Sequence, residues 1–148
     1  MSDLLVKLYD LEKAEANSAM LVSKDICIRR GIVAEKFIVT SWVKKVFGEG
    51  WMSECDAAFS QQPVGCFVAI QSDQLIGFSC YNTTFKGFFG PIGVDPSFHS
   101  CGIGKVLLLK GLNAMYCQGY AYAVIGGVGP QAFFKRSVNA FEIPDSTP

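Results

Sequence analysis

Residues 94–105 read Val-Asp-Pro-Ser-Phe-His-Ser-Cys-Gly-Ile-Gly-Lys and run at once into the apolar stretch 106–112. A strand that passes into a helix through such a loop has the chemistry of an anion site. Gly102 and Gly104 let the backbone come close to an anion, and the N–H groups of the helix's first turn lack intrahelical partners. Two phosphate loops are excluded by their residues. A P-loop ending at Gly104-Lys105 needs glycine at 99 and Ser or Thr at 106, where the chain has His99 and Val106. A dinucleotide fingerprint starting at Gly102 needs glycine at 107, which is Leu107.

A second pattern follows downstream. Residues 120–127 (YAYAVIGG) form an apolar run ending in glycines, and residues 130–140 (PQAFFKRSVNA) read as a short amphipathic helix with proline in its first turn. Together, His99-x-x-Gly102-x-Gly104 and this strand–loop–helix unit resemble the two cofactor motifs of the GCN5-related N-acetyltransferases. His99 stands where that family usually has Arg or Gln, and Phe133-Phe134 and Ala140-Phe141 stand where it usually has Leu-Tyr and Gly-Phe.

The resemblance implies acetyl-CoA as donor and a small-molecule or peptide amine as acceptor. It implies that backbone atoms of Ile92, Gly93 and Val94 hold the pantetheine arm. His99, Ser100, Cys101, Gly102, Ile103, Gly104 and Lys105 would bind the pyrophosphate, and Phe134 would line the cofactor. A protonated His99 offers two donors and a charge where a neutral ring offers one donor.

Acetyl transfer also calls for a proton acceptor and a proton for the leaving thiolate. The family's glutamate on the fourth strand has no counterpart in 85–94, and its tyrosine in the last helix falls at Phe134. Glu54, beside Trp51, is the candidate base, with a solvated helix carboxylate as the other reading. Asp95 precedes proline and reads as a turn former, and Tyr116, Tyr120 and Tyr122 read as packing groups. Arg29 and Arg30 fit either an acceptor carboxylate or a solvated charge pair. A coenzyme A binding module without transferase activity remains the alternative.

The elements that must position these groups are read from periodicity. Residues 4–8 suggest a strand, 12–22 and 33–47 helices, and 52–59 a short helix. Residues 65–71, 74–82 and 85–94 suggest an antiparallel meander, followed by a helix over 103–118, a strand near Ala123 and the last helix. Gly90, Pro91 and Gly93 weaken the meander's last strand, which fits either an edge bulge or a splay from the next strand. The expected class is α+β: a three-layer α/β/α arrangement around a mixed, largely antiparallel sheet, splayed between its fourth and fifth strands, with a shortened C-terminus. Residues 140–143 supply one short strand, so an incomplete edge beside the fifth strand would favour a homodimer.

Composition bounds the rest. The chain has 148 residues, half of them hydrophobic, enough for one domain that buries roughly 70% of its unfolded surface. Thirteen basic residues balance thirteen acidic ones, which argues against nucleic acid or an anionic membrane as partner. No apolar run approaches the ~20 residues of a membrane span, so a cytoplasmic protein is expected. The six cysteines form no Cys-x-x-Cys pair, so no metal is expected. Cys66 and Cys80, in strand runs, read as small buried hydrophobes.

Overall fold

The computed structural model describes residues 1–99, 101–127 and 129–147. Strand β1 (Leu4–Lys7) is followed by a 3-10 turn and the five-residue helix α1 (Ala19–Ser23). The continuous helix expected over 12–22 is broken because Asn17 Nδ2 and Ser18 Oγ donate to the carbonyls of Lys13 and Ala14. Such local bonds give the backbone an alternative to the helix. Strand β2 (Ile26–Arg30) comes next and was not anticipated.

Another 3-10 turn leads into α2 (Lys36–Phe47), and Gly48, at φ +106°, reverses the chain into α3 (Glu49–Ala58). The meander follows as β3 (Cys66–Gln71), β4 (Gln74–Tyr81) and β5 (Phe88–Val94). Helix α4 (Ile103–Cys117), strand β6 (Tyr122–Ile125), helix α5 (Gln131–Val138) and the two-residue β7 (Phe141–Glu142) complete the order.

The strands form one sheet in the order β2-β3-β4-β5-β6-β1-β7. Every neighbouring pair is antiparallel except β5 and β6. That parallel pair is joined only at Phe88↔Val124 and Phe89↔Ile125, so the rest of β5 diverges and the splay is present. The open edge expected beside this strand is filled from the N-terminus. β1 pairs along the whole of β6, from Leu4↔Ile125 to Lys7↔Tyr122, and β7 pairs outside β1.

Both faces of the meander are apolar, as a sheet covered on two sides requires. Cys66, Val68, Phe78 and Cys80 pack with Val39, Val43, Cys55 and Ala58 of α2 and α3. Phe67, Ala69 and Phe89 face the other way, into a larger core with Leu107, Leu108, Leu112 and Met115 of α4. The approach is close: a Cβ at Gly111 would lie 2.4 Å from the Phe89 ring. Among the described residues no helix is long and apolar enough to cross a membrane.

Glu35 clamps the edge strand to α2. Its carboxylate takes two hydrogen bonds from Arg29, at 2.9 and 2.7 Å, and one from the Ile32 N–H at 2.9 Å. The Arg29 hydrogen bond holds the Glu35 carboxyl below its ordinary value, against partial burial. A carboxyl lowered in this way stabilises the fold fully above its unfolded pKa of about 4.3, and the contribution is lost as pH falls through the lower folded value. Glu35→Gln is therefore expected to lower stability by about 1 kcal/mol or less at pH 7. Thermal melts against pH should show that gap closing in acid. A gap that stays constant down to pH 3 contradicts the clamp.

Candidate active site

Gly102 starts α4 with φ +81° and makes no side-chain cap, and a Cβ built on it meets nothing within 4 Å. Among the described residues nothing crowds the approach to the start of α4 at Gly102, which suits an anion held by backbone donors. Gly104 faces α5: its Cβ position lies 3.4 Å from the Phe133 ring and 3.9 Å from a Val94 methyl. The end of β5, the start of α4 and one face of α5 thus meet at a single cleft.

The register decides which backbone groups of β5 reach that cleft. Asp95 N–H donates to the Ile76 carbonyl at 2.8 Å, and Gly93 sits opposite Phe78 two residues along. In an antiparallel ladder alternate residues address the partner strand. Gly93 therefore turns its N–H and C=O to β4, whereas Ile92 and Val94 turn theirs toward the side from which β6 has departed. Gly93 contributes its small size instead, since the Phe47 ring fills the place a Cβ would take, 2.5 Å away. Phe47 in turn packs against Trp51, Phe78 and Trp42, at ring-centroid distances of 5.1, 5.6 and 5.6 Å.

Several expected cofactor residues fall elsewhere or do other work. The His99 ring lies near the cleft, but its Nε2 is 3.1 Å from the Val94 carbonyl, so it ties the loop to the strand end instead of offering both nitrogens to a ligand. Lys105 ion-pairs with Glu12 at 2.8 Å, and that hydrogen bond, with one from Asn17, holds the Glu12 carboxyl below its ordinary value against slight burial. Lys105 therefore brings its N–H to the cleft more directly than its charge. Cys101 is half-buried and takes a long contact, 3.8 Å, from Lys24 Nζ. Ile103 is buried under the loop, and Ser100 lies outside the described residues.

Phe134 requires a correction: it is 1% exposed and belongs to the core beneath α5. The half-buried Phe133 reaches the loop in its place. The assignment to Phe134 follows the place of the family's Leu-Tyr pair, whereas the docking of α5 turns that position into the core.

Glu54 is brought close to the start of β5. Thr84 Oγ1 and Thr83 Oγ1 both donate toward its Oε1, the latter at 3.3 Å, and Thr83 also reaches the Gly90 carbonyl at 3.0 Å. The two threonines had not been singled out in the sequence. Asp95 accepts from Ser97 N–H at 2.9 Å as the cap of a short turn. Tyr122 meets Tyr9 through their hydroxyls, and Tyr116 is exposed. Arg30 donates to the Val64 carbonyl and the Tyr81 hydroxyl and lies over the Phe67 ring; with Arg29 on Glu35, both arginines serve the fold. A surface hollow of about 360 Å³ lies between α1, β2 and α4 and includes none of the expected cofactor residues.

Gly93→Ala puts a methyl where the Phe47 ring lies, so a loss of about 1–3 kcal/mol is expected from overpacking. Adding Phe47→Leu should restore part of it, because the two positions share one space. Denaturant titration of the single and double variants measures this coupling. Additive losses exclude it.

Comparison with known proteins agrees with this geometry. The profile described as the acetyltransferase (GNAT) family matches residues 37–137, whereas none of the curated sequences compared matches the chain. Among solved structures, a GCN5-related glucosamine N-acetyltransferase region of a fungal multi-domain GH3 β-N-acetylglucosaminidase superposes with a TM-score of 0.76 at 15% identity, covering 96% of this chain and 19% of that one. A GCN5-related N-acetyltransferase from Sphaerobacter thermophilus gives 0.65 at 14%, covering 96% and 48%. The Escherichia coli GNAT protein YhbS, solved with CoA, gives 0.56 at 20%, covering 76% and 67%. The chain spans less than half the length of the fungal and Sphaerobacter chains. The matched segment runs from α2 to α5 and so contains every element that builds the cleft, and on that match this chain belongs to the acetyltransferase (GNAT) family.

Proposed function

We propose that the chain is an N-acetyltransferase that moves an acetyl group from acetyl-CoA to an amine of a small molecule or peptide, in the cytoplasm. The observation that carries this reading is the meeting of an uncapped α4 N-terminus with the unpaired half of β5. The first feature suits a pyrophosphate, and the second suits an amide-bearing arm that pairs like a strand. The donor supplies an activated thioester, and the protein's task is to hold it and admit an amine.

In this reading the amides of residues 102–105 receive the pyrophosphate, with Gly102 and Gly104 keeping the approach clear. Ile92 pairs with the arm through its N–H and C=O, and Val94 through its N–H, since its carbonyl meets the His99 ring. Phe133 and Phe47 wall the cleft from α5 and α2. Both threonines address Oε1 of Glu54, so Oε2 is the atom that would take the amine's proton, directly or through water. No phenol stands at the family's usual acid position, which falls at Phe134. Thiolate is a good leaving group, and solvent can protonate it while proximity supplies much of the acceleration.

The missing phenol is also what favours the second reading, a CoA-binding module without transfer. Thiol release from acetyl-CoA across an amine panel separates the two: amine-dependent release is expected, and its absence with every amine despite saturable CoA binding supports the module. Glu54→Gln should lower kcat by about 10²-fold or more with little change in KM for acetyl-CoA. An unchanged kcat removes Glu54 from the chemistry.

Gly102→Val and Gly104→Val are expected to weaken CoA binding at least about tenfold in calorimetry. The first forces a β-branched residue to φ > 0, and the second pushes a side chain into the space shared with Phe133. CoA affinity within twofold of the parent in both variants would overturn the loop assignment.

A further inference from the structure

Cys55, Cys66 and Cys80 converge on the face of the sheet opposite α4. Their Sγ atoms all lie within 4.8 Å of one another, and each residue is fully buried. Cys66 and Cys80 are direct cross-strand partners on β3 and β4. Tyr81 N–H donates to the Gly65 carbonyl at the neighbouring pair; by the alternation of the ladder, the cysteines occupy a pair without backbone hydrogen bonds, where side chains stand closest. Cys55 comes down on them from α3. Neither the cofactor cleft nor its proposed chemistry uses these thiols.

Three sulfurs on a pyramidal three-coordinate centre with bonds of about 2.3 Å stand about 3.5 Å apart, within the 4.8 Å that bounds this triangle. Structural zinc sites take four ligands, and among the described residues no fourth Cys, His, Asp or Glu joins the group. Charge narrows the choice further. Asp56 and Glu35, the ionised side chains that act on the cluster, are each paired with a cation, Lys36 and Arg29, so they bring it no net charge. Three thiolates around a monovalent or divalent ion would leave net negative charge in an apolar interior, which is costly. Around a trivalent ion the product is neutral.

We propose that Cys55, Cys66 and Cys80 form a three-sulfur binding site for a single trivalent thiophilic ion, of which arsenic(III) is the probe. With arsenous acid the step balances without oxidant or reductant. Three As–S bonds form, three As–O bonds break, each thiol proton leaves with a hydroxide as water, and arsenic stays trivalent. Because all three cysteines are buried, entry requires local opening of α3. Binding should be slow and should perturb the fluorescence of Trp51, four residues before Cys55 on that helix.

The test uses the full, reduced chain with sodium arsenite. Native mass spectrometry should find one arsenic per chain with the loss of three protons, and X-ray absorption should find three sulfur neighbours and no oxygen. A chain with Cys27, Cys101 and Cys117 replaced by serine should bind the same amount. Cys55→Ala should weaken binding roughly hundredfold by removing one of three linked ligands. The absorption measurement on the unmutated chain stands even if that variant folds poorly. Oxygen neighbours at arsenic, loss of binding in the triple-serine chain, or tighter uptake of zinc(II) or copper(I) at these cysteines would each overturn the proposal. So would a Cys66–Cys80 disulfide found in place of the bound ion in the reduced chain.

Discussion

The site depends on β5 leaving β6 after two residue pairs. β6 ends at Ile125 and passes into Gly126-Gly127, while β5 continues for five residues beyond Phe89 with β4 as its only strand neighbour. Pro91 cannot donate to a ladder and Gly90 has φ +128°, so the sequence at the parting point gives the ladder little to hold. Backbone groups left without a strand partner need another partner or water. In the proposed function an amide-bearing arm supplies one, so the divergence would then be a binding feature and not only a fault in the sheet.

A gap in a sheet collapses unless both sides are held. On one face α4 packs leucines against the meander and Gly111 against Phe89. On the other, Phe47 lies on Gly93 within a group of four aromatic rings. Burying one such ring is worth about 1.5–3 kcal/mol, so β5 is fixed from two sides while its edge stays open. β1 does the same for β6: lying along its outer edge, it leaves the inner edge to face the cleft. The outer edge of β6 is thereby paired within the chain.

The glycine loop, the meander and the helices on either side were legible because each rests on local pattern: apolar periodicity, turn residues and glycine spacing. What was missed is non-local or depends on phase. β2 is five residues ending in two arginines, and it is a strand because β3 pairs with it, with Arg30 laid over Phe67. The place of β1 between β6 and β7 has no signature in residues 4–7. Phe133 and Phe134 are adjacent and identical, so only the docking of α5 decides which faces the loop. Glu54 was found for its neighbour Trp51, but the threonines that orient it lie some thirty residues away.

Helix α3 links the cleft to the cysteine triangle. Trp51 and Cys55 are four residues apart and so share a face of the helix. Trp51 packs on Phe47 and Phe78, while Cys55 packs among the strand cysteines. Glu54, between them, is held to the β4–β5 corner by Thr83 and Thr84. A shift of α3 along its axis would move the wall and the carboxylate together while changing the sulfur triangle. The small, fully buried Cys55 allows α3 to approach the sheet closely, and that approach sets where Glu54 stands relative to β5. The position of the Glu54 carboxylate thus rests on core packing at a residue remote from it.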